Sequence, residues 1–520
     1  MIPKETVNNG LTANILKIIW SKFVVKLARA VLQYLFEIWI LKLGIYPQGF
    51  EGGAMKKVSQ GELYILKEAK LDRQVLQELI AFNRKYQDRI LRYFAEMKID
   101  FEKSHPGVKY PGLFAEVDSI SGKMRPTEDQ KVWSWGDCRG LGIWSYLIAK
   151  GVIPDEETEI YGRKLNLRNF FSEYCDFIYL CLKERYELNG GRIPFIVDVL
   201  TNKASNDPAN VPCAPGECEP THVFAADGFM QYGIMKGNKD SLELGLKFLD
   251  ESIVCGMNFR NVDHITKKRN PYNGHGFIMV TLGAIIDTLK CMEYRGASAV
   301  VAPGLKEKLL RQGFMISEFI LHNFCNPETG HFWEYNCKEG NPYITPEGYL
   351  ISDPGHVSEA CGFIAELETM SDEFKFKFSS NLVKIMRSIS DKGYSKAGIM
   401  FKNIDLLTGA GLYDKADAKG RKHRTSPWWN VRECCAATMK LFEITGDNSC
   451  LEMYRKAQNA TYLNFPNEKI GGLMVQTLDA DTLKPLPFFP ATGNLDPMHD
   501  TRAREREIEA MERLLAKTRG

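Results

Sequence analysis

Asp353-Pro354-Gly355-His356-Val357-Ser358-Glu359 sets an imidazole and a carboxylate three residues apart, directly ahead of the apolar run from Ala360 to Ala365. Pro and Gly break the chain where a helical pattern begins, so His356 should stand at or near a helix N-terminus with Glu359 on the same face. Proton transfer is the chemistry this pair could do. The partial positive charge of a helix start lowers an imidazole's pKa and favours its neutral, base-competent form, while Glu359 could orient the ring or meet a polar ligand. A plain helix cap uses the same residue types, and the tract alone does not separate the two uses.

Imidazole, guanidinium and aromatic groups recur at other junctions between loops and helical patterns. Trp133-Ser134-Trp135-Gly136-Asp137-Cys138-Arg139 opens one helix, and Gly330-His331-Phe332-Trp333-Glu334-Tyr335 leads towards His356. Ser426-Pro427-Trp428-Trp429-Asn430-Val431-Arg432-Glu433 opens another, and the loop containing His499 and Arg502 runs into the terminal helix. Such junctions would let several helix N-termini face one cavity.

The elements that must hold these groups are helices. From about residue 60 onward apolar residues recur at three- and four-residue spacing, between breaks rich in Gly, Pro and Asn. The pattern predicts helices over 71–98, 140–150, 167–188, 223–235, 240–255, 277–293, 305–324, 357–369, 373–390, 428–445, 449–462 and 501–516. Strand alternation is scarce, which implies paired antiparallel helices in a bundle, solenoid or closed toroid. No strict repeat appears at a fixed period, against a consensus solenoid. Long loops at 99–135, 200–222, 256–276, 325–356, 398–427 and 476–500 are where function is expected.

Composition excludes some classes. Lys+Arg number 67 against 65 Asp+Glu, so there is no basic excess of the kind that nucleic-acid partners require. Thirteen cysteines, an odd and scattered set, point to reduced, buried thiols and a cytoplasmic location. Cys213 and Cys218 bracket a Pro-Gly loop without a second pair at ligand spacing, so no zinc site is expected there. Residues 1–60 read as an amphipathic helical extension of a domain spanning 61–520. Within 12–45, Lys17, Lys22, Lys26, Arg29, Glu37 and Lys42 interrupt the apolar run too often for a membrane span. That segment could pack on the main domain, on a second subunit in a homodimer, or on a membrane surface or another partner.

The order of the motifs resembles the N-acylglucosamine 2-epimerase family, which includes cellobiose 2-epimerases and aldose-ketose isomerases. Gly112 through Arg139 is similar to its Gly-Gly-Phe hairpin with the following Trp and Arg. Pro354-Gly355-His356 with Glu359 resembles its Pro-Gly-His-x-x-Glu, Trp428-Trp429 with Glu433 its Trp-Trp-x-x-x-Glu, and His499 with Arg502 its His-x-x-Arg. Two positions depart from the pattern: Asp137 replaces a Gln, and Arg432 a small residue. A mid-chain histidine found in many members has His275 as its nearest candidate here.

The resemblance implies an all-α, (α/α)6 barrel with a pocket at one mouth, acting on a small-molecule sugar. It further implies that His356 and His499 exchange the C2 proton of a free reducing sugar, and that the enediolate between the two transfers is stabilised by Arg139 first and Arg502 second. Trp428, Trp429, Glu359, Glu433, Arg502 and His275 are the expected substrate contacts. No metal or cofactor is called for. The competing readings are an aldose-ketose isomerase on the same scaffold, a helical-toroid glycoside hydrolase using Glu359 and Glu433, and a sugar-binding protein without turnover.

Overall fold

A computed structural model describes residues 64–106, 108, 117–123, 132–263, 267–269, 272–295, 300–417, 419–487 and 498–518. The amphipathic segment expected at 12–45, the proposed boundary at residue 60 and the hairpin around Gly112 lie outside these residues. Twelve α-helices make up the described chain, and they alternate between an outer and an inner ring. The outer ring is α1 (Arg73–Ser104), α3 (Leu167–Leu188), α5 (Lys239–Met257), α7 (Leu305–Phe324), α9 (Ser379–Lys392) and α11 (Asn448–Asn464). The inner ring is α2 (Ser134–Lys150), α4 (Pro220–Lys236), α6 (Gly276–Arg295), α8 (Pro354–Glu368), α10 (Trp428–Thr445) and α12 (Ala503–Lys517). Successive inner helices pack on one another around the ring, which makes the (α/α)6 barrel that the resemblance implied.

Burial separates the two rings. In α3 the buried set Leu167, Phe171, Tyr174, Cys175, Ile178, Tyr179, Cys181, Leu182 and Arg185 forms one stripe, as a helix with one face in water requires. In α4 every residue from Val223 to Met235 is buried, because both its sides meet protein. Small residues permit that crowding: a Cβ on Gly228 would stand 2.5 Å from the Cys138 carbonyl oxygen of α2.

Local signals set the helix ends. Asp72, Asn166, Asn238, Asp353 and Asp447 cap N-termini through their side chains, while Gly151, Gly237 and Gly446 close C-termini in the left-handed conformation. Three inner helices, α2, α10 and α12, start without a side-chain cap.

The ring closes through α12, and it closes with charge. Glu509 accepts from Tyr146 of α2 at 2.9 Å and from Lys290 of α6 at 2.6 Å, while Glu507 accepts from Arg432 of α10 at 2.7 Å. Arg504 donates to Asn83 of α1 at 2.7 Å. Among the described residues, eight two-stranded ladders of two to four residues per strand punctuate the loops, so strands are present but build no common sheet.

Candidate active site

The inner helices start at one mouth of the barrel, and the chemically informative residues lie there. Asp353 caps α8, its carboxylate accepting from the backbone N–H of Gly355 at 3.0 Å and of His356 at 3.4 Å, and this sets His356 in the first turn. The His356 Nδ1 stands 2.9 Å from Glu334 Oε1 and 3.3 Å from Asp353 Oδ2. Both partners are acceptors, so Nδ1 carries the proton and the ring's chemistry runs through Nε2. The second oxygen of Glu334 lies 3.0 Å from Nε2 of His275. One buried carboxylate therefore holds two imidazoles.

This corrects two expectations. Burial and the helix start would lower the His356 pKa, but Asp353 and Glu334 outweigh burial and raise it above the ordinary 6.5. Glu334 is in turn held well below the usual carboxylate range, since the charges and hydrogen bonds of His356 and His275 overcome its desolvation. Glu359 does not orient His356; that role falls to Glu334. His275 is fully buried behind His356, its ring centroid 6.0 Å away, so the structure does not support it as a substrate contact.

A second imidazole is held in the same way. His499 sits in a π-helical turn, Met498–Arg502, that leads into α12, and its Nδ1 lies 2.8 Å from Glu433 Oε1 on α10. The same Glu433 oxygen accepts from Arg502 at 3.2 Å, and the same Arg502 nitrogen reaches Glu359 Oε1 at 2.6 Å. Burial raises the Glu433 pKa, but Arg502 and His499 outweigh it and bring it down to about 2. Glu359, Glu433 and Arg502 are each 3% exposed or less, and both carboxylates pair with Arg502. A glycosidase pair would need room for a glycosidic bond between its carboxylates; here both are bonded to one guanidinium nitrogen, which removes the hydrolase reading of Glu359 and Glu433.

Trp429 connects the two imidazoles. Its ring stacks on His356 at 5.4 Å and on His499 at 5.1 Å between centroids, so the imidazoles stand at most 10.5 Å apart, the sum of the two spacings. His356 is 29% exposed, His499 12%, and Trp429 is half-buried. Lys402, bonded to Asp353, lies 4.4 Å over the same indole. Gly355 makes this approach feasible, since a Cβ there would lie 2.5 Å from Trp429 Cζ3 and 2.4 Å from Asn430 Oδ1. Trp428, by contrast, is fully buried with its indole N–H donating to Gln476 at 3.1 Å; it is a core residue, and the expectation of a substrate contact is corrected.

Arg139 lies on α2, which begins six residues earlier than the apolar periodicity predicts, at Ser134, because Ser134 to Arg139 are already helical. Its guanidinium sits 4.0 Å over Phe224 of α4 and 4.7 Å over Trp135. The departures from the expected motif have partners: Asp137 pairs with buried Arg185 at 2.5 Å, and Arg432 with Glu507. Glu334 is the site residue that the sequence reading left without a role. The signal available was a single acid inside an aromatic tract ahead of the histidine.

With this geometry in view, residues 299–492 match the sequence profile described as N-acylglucosamine 2-epimerase (GlcNAc 2-epimerase). The matched segment contains Glu334, His356, Glu359, Trp429 and Glu433; Arg139, His275, His499 and Arg502 lie outside it. Comparison with curated protein sequences gives no match. Among solved structures, a sugar epimerase from a ruminal bacterium is 14% identical with a TM-score of 0.56, over 82% of this chain and 98% of that one. A D-mannose isomerase is 13% identical with a TM-score of 0.58, over 82% and 97%. The cellobiose 2-epimerase of Spirochaeta thermophila is 12% identical with a TM-score of 0.57, over 85% and 98%. These likenesses establish the shared barrel. Among the described residues no helix is long and apolar enough to cross a membrane.

Proposed function

We propose that this chain is a member of the N-acylglucosamine 2-epimerase family and a sugar 2-epimerase that inverts C2 of a free reducing sugar. The observation that carries the reading is the pair of carboxylate-held imidazoles, His356 on Glu334 and His499 on Glu433, on either side of the half-buried Trp429. The C–H next to an aldehyde is weakly acidic, and a base must remove its proton before an acid on the other face can return one. In each ring a carboxylate takes Nδ1, which fixes the tautomer and leaves the proton transfer to Nε2. Glu334, Glu433, Glu359 and Arg502 act by positioning, whereas His356, His499 and the exposed part of Trp429 meet the sugar. Negative charge on the enediolate oxygen falls to Arg139, since Arg502 is already engaged by two carboxylates.

The test is turnover of a panel of free aldoses in D2O, followed by proton NMR. Deuterium at C2 of an epimeric aldose is the expected result, and His356→Ala and His499→Ala should each remove turnover while leaving the helical circular dichroism unchanged. An epimer formed without label at C2, or full activity in either variant, would refute the two-histidine scheme. A ketose labelled at C1 would assign aldose-ketose isomerisation instead.

A further inference from the structure

Apart from the two imidazoles, a cavity of about 640 Å³ lies where the loop ahead of α4 meets the end of α5, and three cysteines line it: Cys213, Cys218 and Cys255. Among the described cysteines these form a cluster with an unusual contact. The backbone N–H of Cys218 donates to Cys255 Sγ at 3.1 Å, and the Cys218 sulfur also lies 3.8 Å from the Glu251 carbonyl oxygen. Cys255 thus receives a fixed backbone donor, which stabilises a thiolate, while the sulfur beside it stays a thiol. We propose that Cys218 and Cys255 are a dithiol site that hydroperoxides oxidise to a reversible disulfide.

Supporting this, the Cys255 thiol is lowered below its usual pKa, first by donation from the Cys218 side chain and then, against burial, by the Cys218 backbone N–H; the Cys218 thiol is correspondingly raised. Cys218 and Cys255 are themselves buried, at 5% and 1% exposure, but line a cavity, whereas Cys138, Cys175, Cys361, Cys434 and Cys435 are buried in helix packing with thiols pushed up by burial. A peroxide molecule is small enough to enter the cavity.

The electrons balance without a further reactant. The Cys255 thiolate attacks one peroxide oxygen, the O–O bond breaks, and hydroxide leaves, which takes up the proton lost on ionisation and departs as water. The resulting sulfenic acid is attacked by the Cys218 sulfur, the S–S bond forms, and the sulfenic oxygen departs as a second water carrying the Cys218 proton. Two thiols lose two electrons and the peroxide gains them.

A link there would join the start of α4 to the end of α5. Cys218 precedes Glu219, the N-cap of α4, which shares a reciprocal capping box with His222 and an ion pair with Lys267. Phe224, one turn further along α4, is the ring on which Arg139 rests. The site is independent of which sugar reaction the mouth performs.

The test uses the native full-length chain, titrated with hydrogen peroxide and read by intact mass and non-reducing peptide mapping. The expected product is two hydrogens lighter, reverts with dithiothreitol and yields a Cys218–Cys255 linked peptide, formed roughly ten-fold faster than oxidation of half-buried Cys337. Cys218→Ser should accumulate dimedone-reactive sulfenic acid at Cys255, and Cys255→Ser should lose the fast phase. Oxidation of Cys337 or Cys213 ahead of Cys255, or a link that joins Cys213 to either partner, would overturn the proposal.

Discussion

Glu334→Gln is the most informative single change, because one carboxylate serves two rings. In the native site its oxygens lie 2.9 Å from His356 Nδ1 and 3.0 Å from His275 Nε2, and both can only accept. Glutamine keeps one accepting oxygen and replaces the other with an NH2 donor, at nearly the same shape. If the NH2 faces His356, that ring must offer a lone pair at Nδ1 and move its proton to Nε2, the wrong tautomer for a base. If it faces His275, the fully buried ring behind must change instead, while His356 keeps a neutral partner in place of a charged one. Hydrogen bonds to charged groups are worth roughly 1.5–3 kcal/mol. At about 1.4 kcal/mol per factor of ten, kcat should fall roughly 10- to 150-fold. The sign on pH is fixed as well: removing a negative charge that raises the His356 pKa lets it fall, so the limb of the pH–rate curve set by this ring moves to lower pH. Histidine NMR titration and kcat against pH measure both effects, and KM should change little because Glu334 does not reach the mouth. A variant with native kcat, or with the limb displaced to higher pH, would refute the assignment of Glu334 as the group that positions His356.

Other expectations concern packing, acid stability and metals. Gly355→Ala places a methyl within 2.5 Å of Trp429 and Asn430, so overpacking should cost about 1–3 kcal/mol, read as a lower urea midpoint. Glu433, with its pKa depressed from 4.5 to about 2, contributes stability that is complete above pH 4.5 and lost as pH falls towards 2. Glu433→Gln should therefore flatten the acid limb of a stability–pH curve, and an unchanged limb would count against the ion-paired geometry. Two groups, His275–Glu334–His356 and Glu359–Glu433–His499, have donor atoms close enough to hold a cation. Their oxygens already accept from ring N–H groups or Arg502 at hydrogen-bond lengths of 2.6–3.2 Å, so prolonged EDTA treatment should leave turnover intact. Activity lost to chelation and restored by one divalent ion would reassign those clusters.

Much of the architecture was legible in the chain because it is local. Apolar spacing found all twelve helices, Pro354 and Gly355 marked the start of α8, and Gly446 marked the end of α10 where the left-handed cap sits. The boundaries missed by six residues were the start of α2 at Ser134, the end of α1 at Ser104 and the start of α9 at Ser379, so errors fell at helix ends of both rings. His356 could be placed on a helix start from its neighbours alone.

The partners of that ring could not. Whether His356 is met by Glu359, three residues on, or by Glu334, twenty-two residues back, depends on how α8 rotates against a loop fixed elsewhere in the barrel. The same holds for α12, whose run Arg504-Glu505-Arg506-Glu507 reads as a solvated charged face yet is wholly buried, each charge answered by another element or by a neighbour on the same turn. Periodicity specifies which positions share a face, since that follows from 3.6 residues per turn. It carries nothing about which distant face arrives opposite, and both the charge state of His356 and the burial of Trp428 and His275 are consequences of that arrival.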